Sequence, residues 1–486
     1  MNLSWVMLVI IPLATVILWG LTALFGGRVL LKRLETALGK PPQNTLTEMW
    51  WSVKSHSPAS LLLTMQRAES GRAAEHPLGS VPHPDWLSAL GWDVGTLARP
   101  PVANEVPVDL TVELGSTAAR PVRLAMPVVI APMGYGLGLS AEMKVALAQA
   151  STLAGIAMVS GEGPYLPEER AYAGRWILQE SRGRWAHQNV VRQLADAIEL
   201  AWGQGSEASV EIAKSPEEVP RRMQQAAHGR PVIAAPRPLS LEAWVAEVRR
   251  DRPDCPIIVK LPATQHLEED LARLVSVGVN AVTLDGSGAG SAGSPAVISD
   301  HAGVSTAIAT ARAHRWLTRV GVRDRLTLIV SGGVHGAADI LRLVALGADV
   351  VALGTELLMA ALHEQIAPHW PKTPPTELAF RRTRRGQPRL DVDRAAEHVS
   401  NWLDATHAEL ELLVRALGFT TLTEVRSYCP LVARTQEAAR VFGVPFDGAT
   451  PAAPWGDRVG DLVASYDQMI GILRQIYERW SRHGIQ

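Results

Sequence analysis

Between Pro127 and Gly354 the sequence repeats one theme eight times: a short apolar, β-branched run, then a turn, and where one can be read an amphipathic stretch. The runs are PVVIA (127–131), GIAMVS (155–160), RWILQ (175–179), ASVEIA (208–213), PIIVKL (256–261), NAVTLD (280–285), LTLIVSG (326–332) and ADVVALG (348–354). Helical patterns between them cover Ala141–Leu153, Gln188–Trp202, Leu241–Arg250, Leu267–Val277, Val304–Val320 and Ala337–Leu346. Short strands alternating with helices predict βαβ units, because parallel neighbours are joined only by a crossover. Runs apolar along their whole length predict strands buried on both faces. Eight such units in ~240 residues match an α/β fold of the closed (β/α)8 TIM barrel type. A doubly wound open sheet fits the strand count as well.

The rest of the chain divides around that core. Residues 126–366 are expected to form the barrel and 28–125 an irregular lead-in rich in Pro, Trp and Ser. Residues 367–486 are expected to form a C-terminal helical extension, with long helical patterns at Arg394–Leu417 and Trp455–Trp480. Residues 1–27 are expected to form an N-terminal transmembrane helix. Trp5–Phe25 carries no charge, and about 20 apolar residues span the ~30 Å hydrocarbon layer. Arg28, Lys32 and Arg33 follow it and nothing basic precedes it. The positive-inside rule then predicts a single-pass membrane protein whose body is cytoplasmic. A cleaved signal peptide is the alternative, disfavoured by the missing basic n-region and the length of the apolar run.

A net charge of −1 offers no basic field to attract nucleic acid. The basic stretch 381–389 reads as a solvated loop, with anionic lipid or an acidic partner patch as the alternative. The two cysteines, Cys255 and Cys429, lie far apart. They argue against a disulfide framework, an all-cysteine zinc site and a multi-cysteine iron–sulfur cluster.

In a closed barrel the functional groups lie at the C-terminal ends of the strands. Glycine concentrates there, in PMGYGLGLS (132–140), SGEGPY (160–165), DGSGAGSAGSP (285–295), SGGVHGAAD (331–339) and GTELL (354–358). Glycine lets backbone amides approach a ligand, although a tight turn alone also favours it. Loops after the seventh and eighth strands that open onto helices are the usual phosphate seat. Ser331, Gly332 and Gly333, with Gly354 and Thr355, therefore read as a phosphate cup. Gly288, Gly290 and Gly293 spell GxGxxG, but after the sixth run, with Asp300 too near for the acid expected about 20 residues on. The dinucleotide reading is rejected for this copy.

Residues 126 to about 365 resemble the FMN-binding barrel of the glutamate synthase family, and in particular its stand-alone, membrane-anchored members without an amidotransferase domain. MPVVIAPMGYGLGLS stands in place of the family's PMSFGALS-type loop, and SGEG in place of GEGG. ILQESRGRW resembles the KQ…SGRFG segment, and Val259–Leu261 gives VKL. DGSGAGSAGSP replaces GHDGGTGASP and is followed by HAGV. SGGVHGAADILRLVALGADVVALGT closes the barrel, as in other FMN barrels. The resemblance implies that Pro132, Met133 and Gly134 line the flavin ring and that Gln179 and Lys260 hydrogen-bond it. It implies that Gly332, Gly333, Gly354 and Thr355 hold the phosphate, with Ser331 and Gly290 in the neighbouring loops. A cation such as Lys260 suits the flavin edge that becomes anionic on reduction. Glu162 matches the GEG acid, which orients substrate or relays protons. Arg184 matches the SGR arginine and suits a carboxylate. His301 is a proton-donor candidate. Each of these three has an ordinary structural role as its alternative, and His335 is expected to serve a phosphate or backbone contact.

The departures bear on the reaction. The family's iron–sulfur cluster uses three cysteines just after the barrel, and residues 356–428 contain none, so no cluster is expected. The family's keto-acid loop QGAKPG is matched to EIAKSPEEVP (211–220), with Lys214 as its lysine and the glutamine and glycines lost. The lysine of KQ is Leu178, and the HD pair is Ser287–Gly288. The resemblance implies an oxidoreductase acting on CH–NH2 donors, with a small amino- or imino-acid substrate and a separate electron donor, a protein or a quinone. Two alternatives stand beside it: a membrane-tethered flavin-binding protein without glutamate chemistry, and a flavin 2-hydroxy-acid oxidase with His335 as base.

Overall fold

The computed structural model describes residues 85–448, apart from 137, 182–188, 206–211, 215–223, 225–231, 235–239, 290–293, 367, 369–377 and 381–388. Three short strands come first: β1 (Leu90–Trp92), β2 (Val112–Leu114) and β3 (Val122–Leu124). Then follow β4 (Val128–Ile130), β5 (Ala157–Val159), β6 (Trp176–Ser181) and β7 (Ala197–Ala201). An inserted antiparallel pair, β8 (Ile212–Lys214) and β9 (Val232–Ala234), separates these from the second half. That half is β10 (Ile257–Pro262), β11 (Ala281–Asp285), β12 (Thr327–Ser331) and β13 (Val350–Leu353). β4–β7 and β10–β13 form one closed parallel barrel in chain order, with β13 beside β4 and β7 beside β10. The barrel expectation is met, and the open sheet is excluded.

Seven of the eight barrel strands fall on the expected runs; the fourth does not. It is Ala197–Ala201, inside the stretch expected to be the Gln188–Trp202 helix. Helix there is confined to Asn189–Gln193. Asp196 then turns the chain: its carboxylate accepts from Trp176 N at 2.8 Å and its own N–H donates to Trp176 O. The reason is tertiary. Ile198 and Leu200 face the helix layer, while Ala197 faces the lumen. The alternation places Glu199 on Ala197's face. One carboxylate inside an otherwise apolar run disguised a period of two as a helical period. The expected fourth strand, ASVEIA, supplies only Ile212–Ala213 to the inserted pair.

Two layers of apolar packing hold the barrel. Alternate strand residues (Val129, Ala157, Ile177, Ala197, Ile258, Ala281, Ile329, Val350) fill the lumen at its N-terminal end. The β2–β3 hairpin closes that end with Leu114, Val122 and Leu124, and Gly115 N donates to Thr327 Oγ1 at 3.0 Å. Part of the expected irregular lead-in is therefore a plug. The opposite residues of each strand pack outward on the helices. These include Ala141–Leu153, N-capped by Ser140, and Val392–Ala416, which lies against it. Strands do not stop at Gln365, contrary to expectation: β14 (Leu431–Ala433) pairs antiparallel with β1. The expected anchor (1–27) and the expected Trp455–Trp480 helix lie outside the described residues. Among the described residues no helix is long and apolar enough to cross a membrane.

His314, on the Thr306–Arg319 helix, gives this fold a pH dependence. Its Nδ1 accepts from Arg323 Nε at 3.0 Å. Burial first, then the Arg323 cation, pushes its pKa down to about 4. An unfolded histidine titrates near ~6.5, so between these values the unfolded chain binds more protons. This contribution to stability is fully present above ~6.5 and is lost as pH falls toward 4. Thermal midpoints measured from pH 7.5 to 4.5 should fall less for His314→Gln than for the wild type. Identical slopes for the two proteins would refute this origin.

Candidate active site

Parallel strands send every second side chain into the lumen. Above the apolar layer the inward positions turn polar: Gln179 and Ser181 on β6, Glu199 on β7, Lys260 on β10, Thr283 and Asp285 on β11, and Ser331 on β12. All are buried. Lys260 Nζ lies 2.8 Å from Asp285 Oδ2, and Ser331 Oγ donates to Asp285 Oδ1. Glu199 accepts from Gln179 Nε2 at 2.8 Å and from Thr283 Oγ1 at 2.6 Å. Burial works against the charge on Lys260, but the Asp285 and Glu199 carboxylates, with Glu162 after them, outweigh it and hold its pKa above the usual value. Burial pushes Glu199 upward, against the pull of Lys260, Thr283 and Gln179. The floor of the site is thus a fixed ammonium set among two carboxylates and neutral donors.

The strand-end loops rise around this floor, and several touch backbone to backbone. A Cβ on Gly134 would stand 1.6 Å from Glu162 O, and one on Gly161 2.5 Å from Gly134 N. Gly161 also has φ +74. On the far side, a Cβ on Gly332 (φ +111) would lie 2.8 Å from Ala289 N. Loop packing itself therefore requires glycine at these positions, beside the ligand approach expected of them. Gly134→Ala should therefore displace the first two loops. We expect loss of flavin retention on gel filtration, with the barrel's far-UV circular dichroism kept; a holo-protein with the wild-type flavin content would contradict it.

The loops after β11, β12 and β13 are tied together. Thr306 Oγ1 donates to the carbonyls of Ser331 and Gly332 at 3.0 and 2.8 Å. His335 Nδ1 lies 2.8 Å from Glu356 Oε1, joining one loop to the helix that begins at Thr355. His335 thus makes a side-chain bridge that the sequence did not predict. Its backbone N–H donates to Asp339. Open space lies beside Gly336, where an added Cβ would meet nothing within 4 Å.

The structure brings together Gln179, Lys260 and Ser331, with Glu162 near enough for its charge to act on Lys260. Met133 reaches toward Gly354: its Sδ is 3.6 Å from where a Gly354 Cβ would stand. His301 is exposed on the turn after Ala296–Ser299. Arg184 and Gly290 lie outside the described residues. The residues that sequence reasoning missed are Glu199, Thr283, Asp285 and Ser181. Their signal was one polar residue at alternate positions near each strand's C-terminal end.

The new fourth strand also moves the start of the loop that follows it. The segment after β7 begins Trp202–Gly203–Gln204–Gly205. Gln204 and Gly205 open this loop. Gly205 N approaches Asp285 Oδ2 at 3.4 Å. Lys214 belongs to β8 instead.

This site suits FMN on two observations. Among the described residues, buried Ser181 Oγ has no hydrogen-bond partner. The floor combines a cation with amide and hydroxyl donors, as an anionic ring edge requires.

Fold and site together define a barrel oxidoreductase. A family model described as the conserved region in glutamate synthase matches residues 102–420, and the chain belongs to that family. The glutamate synthase large subunit-like protein of Rhizobium meliloti (strain 1021) is 29% identical over 399 residues, 76% of this chain and 88% of that one. The archaeal NADPH glutamate synthase of Methanocaldococcus jannaschii is 27% identical over 325 residues, 65% of this chain. The match spans 63% of that relative's length. Among solved structures, a flavocytochrome b2 double mutant with pyruvate bound aligns at TM-score 0.50 and 17% identity, over 75% of this chain and 80% of that one, a likeness of fold alone.

Proposed function

We propose that the protein is an FMN-dependent oxidoreductase of glutamate synthase type that acts on a small amino or imino acid and takes electrons from a separate donor, a protein or a quinone. The observation that carries this reading is the buried Lys260 ammonium at the C-terminal mouth of the barrel, held charged by Asp285 and Glu199. Hydride exchange at a carbon bearing nitrogen is the chemistry that FMN supplies when bound. Lys260, Gln179 and Ser181 would hold the ring, beside Pro132, Met133 and Gly134. Ser331, Gly332, Gly333, Gly354 and Thr355 would hold the phosphate, next to Gly290. Lys260 offsets the negative charge of the reduced state from a site already desolvated and fixed, where such charge is worth most. Glu162, Arg184 and His301 are the proposed substrate-side residues, with Glu162 placed to move a proton.

The test is anaerobic reoxidation of the dithionite-reduced holoprotein. Rapid reoxidation that needs both 2-oxoglutarate and ammonium is expected for glutamate formation. A second reading, flavin binding without glutamate chemistry, is favoured by Leu178, which stands where the resemblance places a family lysine. It expects bound FMN but no such reoxidation, and the same assay run across other keto acids, imines and quinones then identifies the substrate. Protein that takes up no FMN sinks both readings. The 2-hydroxy-acid oxidase reading is disfavoured, because His335 is 67% exposed and engaged with Glu356. For location, the uncharged Trp5–Phe25 run followed by Arg28, Lys32 and Arg33 supports a single-pass anchor with a cytoplasmic body. Release of the protein from membranes by alkaline carbonate would count against it.

A further inference from the structure

A charged pair is buried outside the lumen, between the barrel wall and its helices. Lys144 Nζ, on the Ala141–Leu153 helix, lies 3.2 Å from Glu169 Oε2, and the two side chains are 0% and 3% exposed. Glu169 Oε1 accepts from Trp176 Nε1 at 2.8 Å. Lys144 also donates to two main-chain carbonyls, Met133 at 2.9 Å and Ser160 at 2.7 Å. Its three donors therefore have three acceptors. Both carbonyls lie just beyond the C-terminal ends of adjacent strands, β4 and β5.

Stability alone does not account for this lysine. Taking an ammonium and a carboxylate out of water is costly, and apolar residues of similar volume commonly serve as well or better. Met143 and Leu147, on the same helix, are fully buried. Burial works against both charges, lowering the lysine's pKa and raising the acid's. What an apolar side chain cannot do is bind two carbonyls of two different loops. The peptide that follows Met133 is pinned on its other side too, where Gly134 fits against Glu162 O only because it lacks a Cβ. The Met133 side chain extends toward Gly354.

We propose that Lys144 is a positioning residue of the flavin site: by holding the Met133 and Ser160 carbonyls it fixes the face that the first loop turns toward the ring. The inference rests on the FMN reading. Glu169 holds the ammonium in place, and Trp176 holds Glu169.

The test uses Lys144→Met and the double variant Lys144→Met/Glu169→Gln. The double variant leaves no unpaired charge and keeps an acceptor for Trp176, while losing the donors to Met133 and Ser160. FMN is titrated into each apoprotein, following flavin fluorescence, and the visible absorption band of the holoprotein is recorded. The expected result for the double variant is an FMN dissociation constant raised about ten-fold or more, a loss of roughly one decade of affinity, with an altered flavin band shape and unchanged far-UV circular dichroism. Affinity within two-fold of wild type and an unchanged band overturns the proposal. So does a double variant that fails to fold, since Lys144 would then serve stability. Wild-type protein that binds no FMN refutes the underlying reading; wild-type binding matched by the variant refutes this inference alone.

Discussion

Lys260→Met should lower the rate of flavin reoxidation by substrate roughly 100- to 1,000-fold, the usual cost of removing a preorganised electrostatic partner from a desolvated site. Lys260 sits between Asp285 at 2.8 Å and the fully buried Glu199, so its loss also leaves two carboxylates without a counter-charge. Breaking a buried pair from one side costs roughly 3–5 kcal/mol, and urea unfolding should show it. The two effects separate in a second variant. Lys260→Met/Asp285→Asn removes one stranded charge and should recover part of the stability, while activity stays low because the cation is still missing. The urea midpoint and the single-turnover rate of each variant check the pair of expectations. A single variant with stability lost but the rate within three-fold of wild type would reduce Lys260 to a structural ion.

The second large effect is expected outside the site. Arg192 is 2% exposed on the Asn189–Gln193 helix and bonds Glu180 through both Nε and Nη2, the latter at 2.9 Å. Asp251 and Glu247 also pair with it, and Trp244 Nε1 donates to Glu180 at 3.0 Å. These carboxylates hold the Arg192 pKa above its usual value, against burial. Arg192→Ala removes this two-pronged cation from the 1%-exposed Glu180, again a loss of roughly 3–5 kcal/mol. Arg192→Lys should recover only part of it, because an ammonium cannot reproduce a two-pronged guanidinium contact. The exposed pair Arg273–Glu242 is the control: Arg273→Ala should barely move the urea midpoint, since exposed ion pairs contribute little. Equal effects at both positions would sink the argument. Glu180 adjoins Gln179, so the Arg192 cluster also anchors the strand that carries a lumen donor.

The barrel was legible in the sequence because its strands are buried on both faces. Such strands stand out as unbroken apolar runs, and seven of the eight were found that way. The fourth escaped because Glu199 interrupts it. That same glutamate belongs to the polar floor, so the error in fold and the omission in the site have one cause. The misplaced strand also shifted the expected start of the loop after it, which begins at Trp202. The glycine-rich loops were legible as a group, but Gly134 and Gly161 serve contacts between two loops, and only coordinates show which atom a Cβ would strike.

Sequence alone determined the barrel, its polar end and the family pattern, because periodicity and loop chemistry are local properties of the chain. Tertiary structure decided which charges meet. Lys260 is set against Asp285 and Glu199, and Lys144 is set against Glu169 and two strand-end carbonyls. Those partners lie from 11 to 61 residues away in the chain. Parallel strand register and helix packing bring them within 3.2 Å where contact is direct, and no local pattern encodes that closure. The physical reason is the low dielectric of the interior: a buried charge must find its partner there, and the fold alone sets which partner lies in reach.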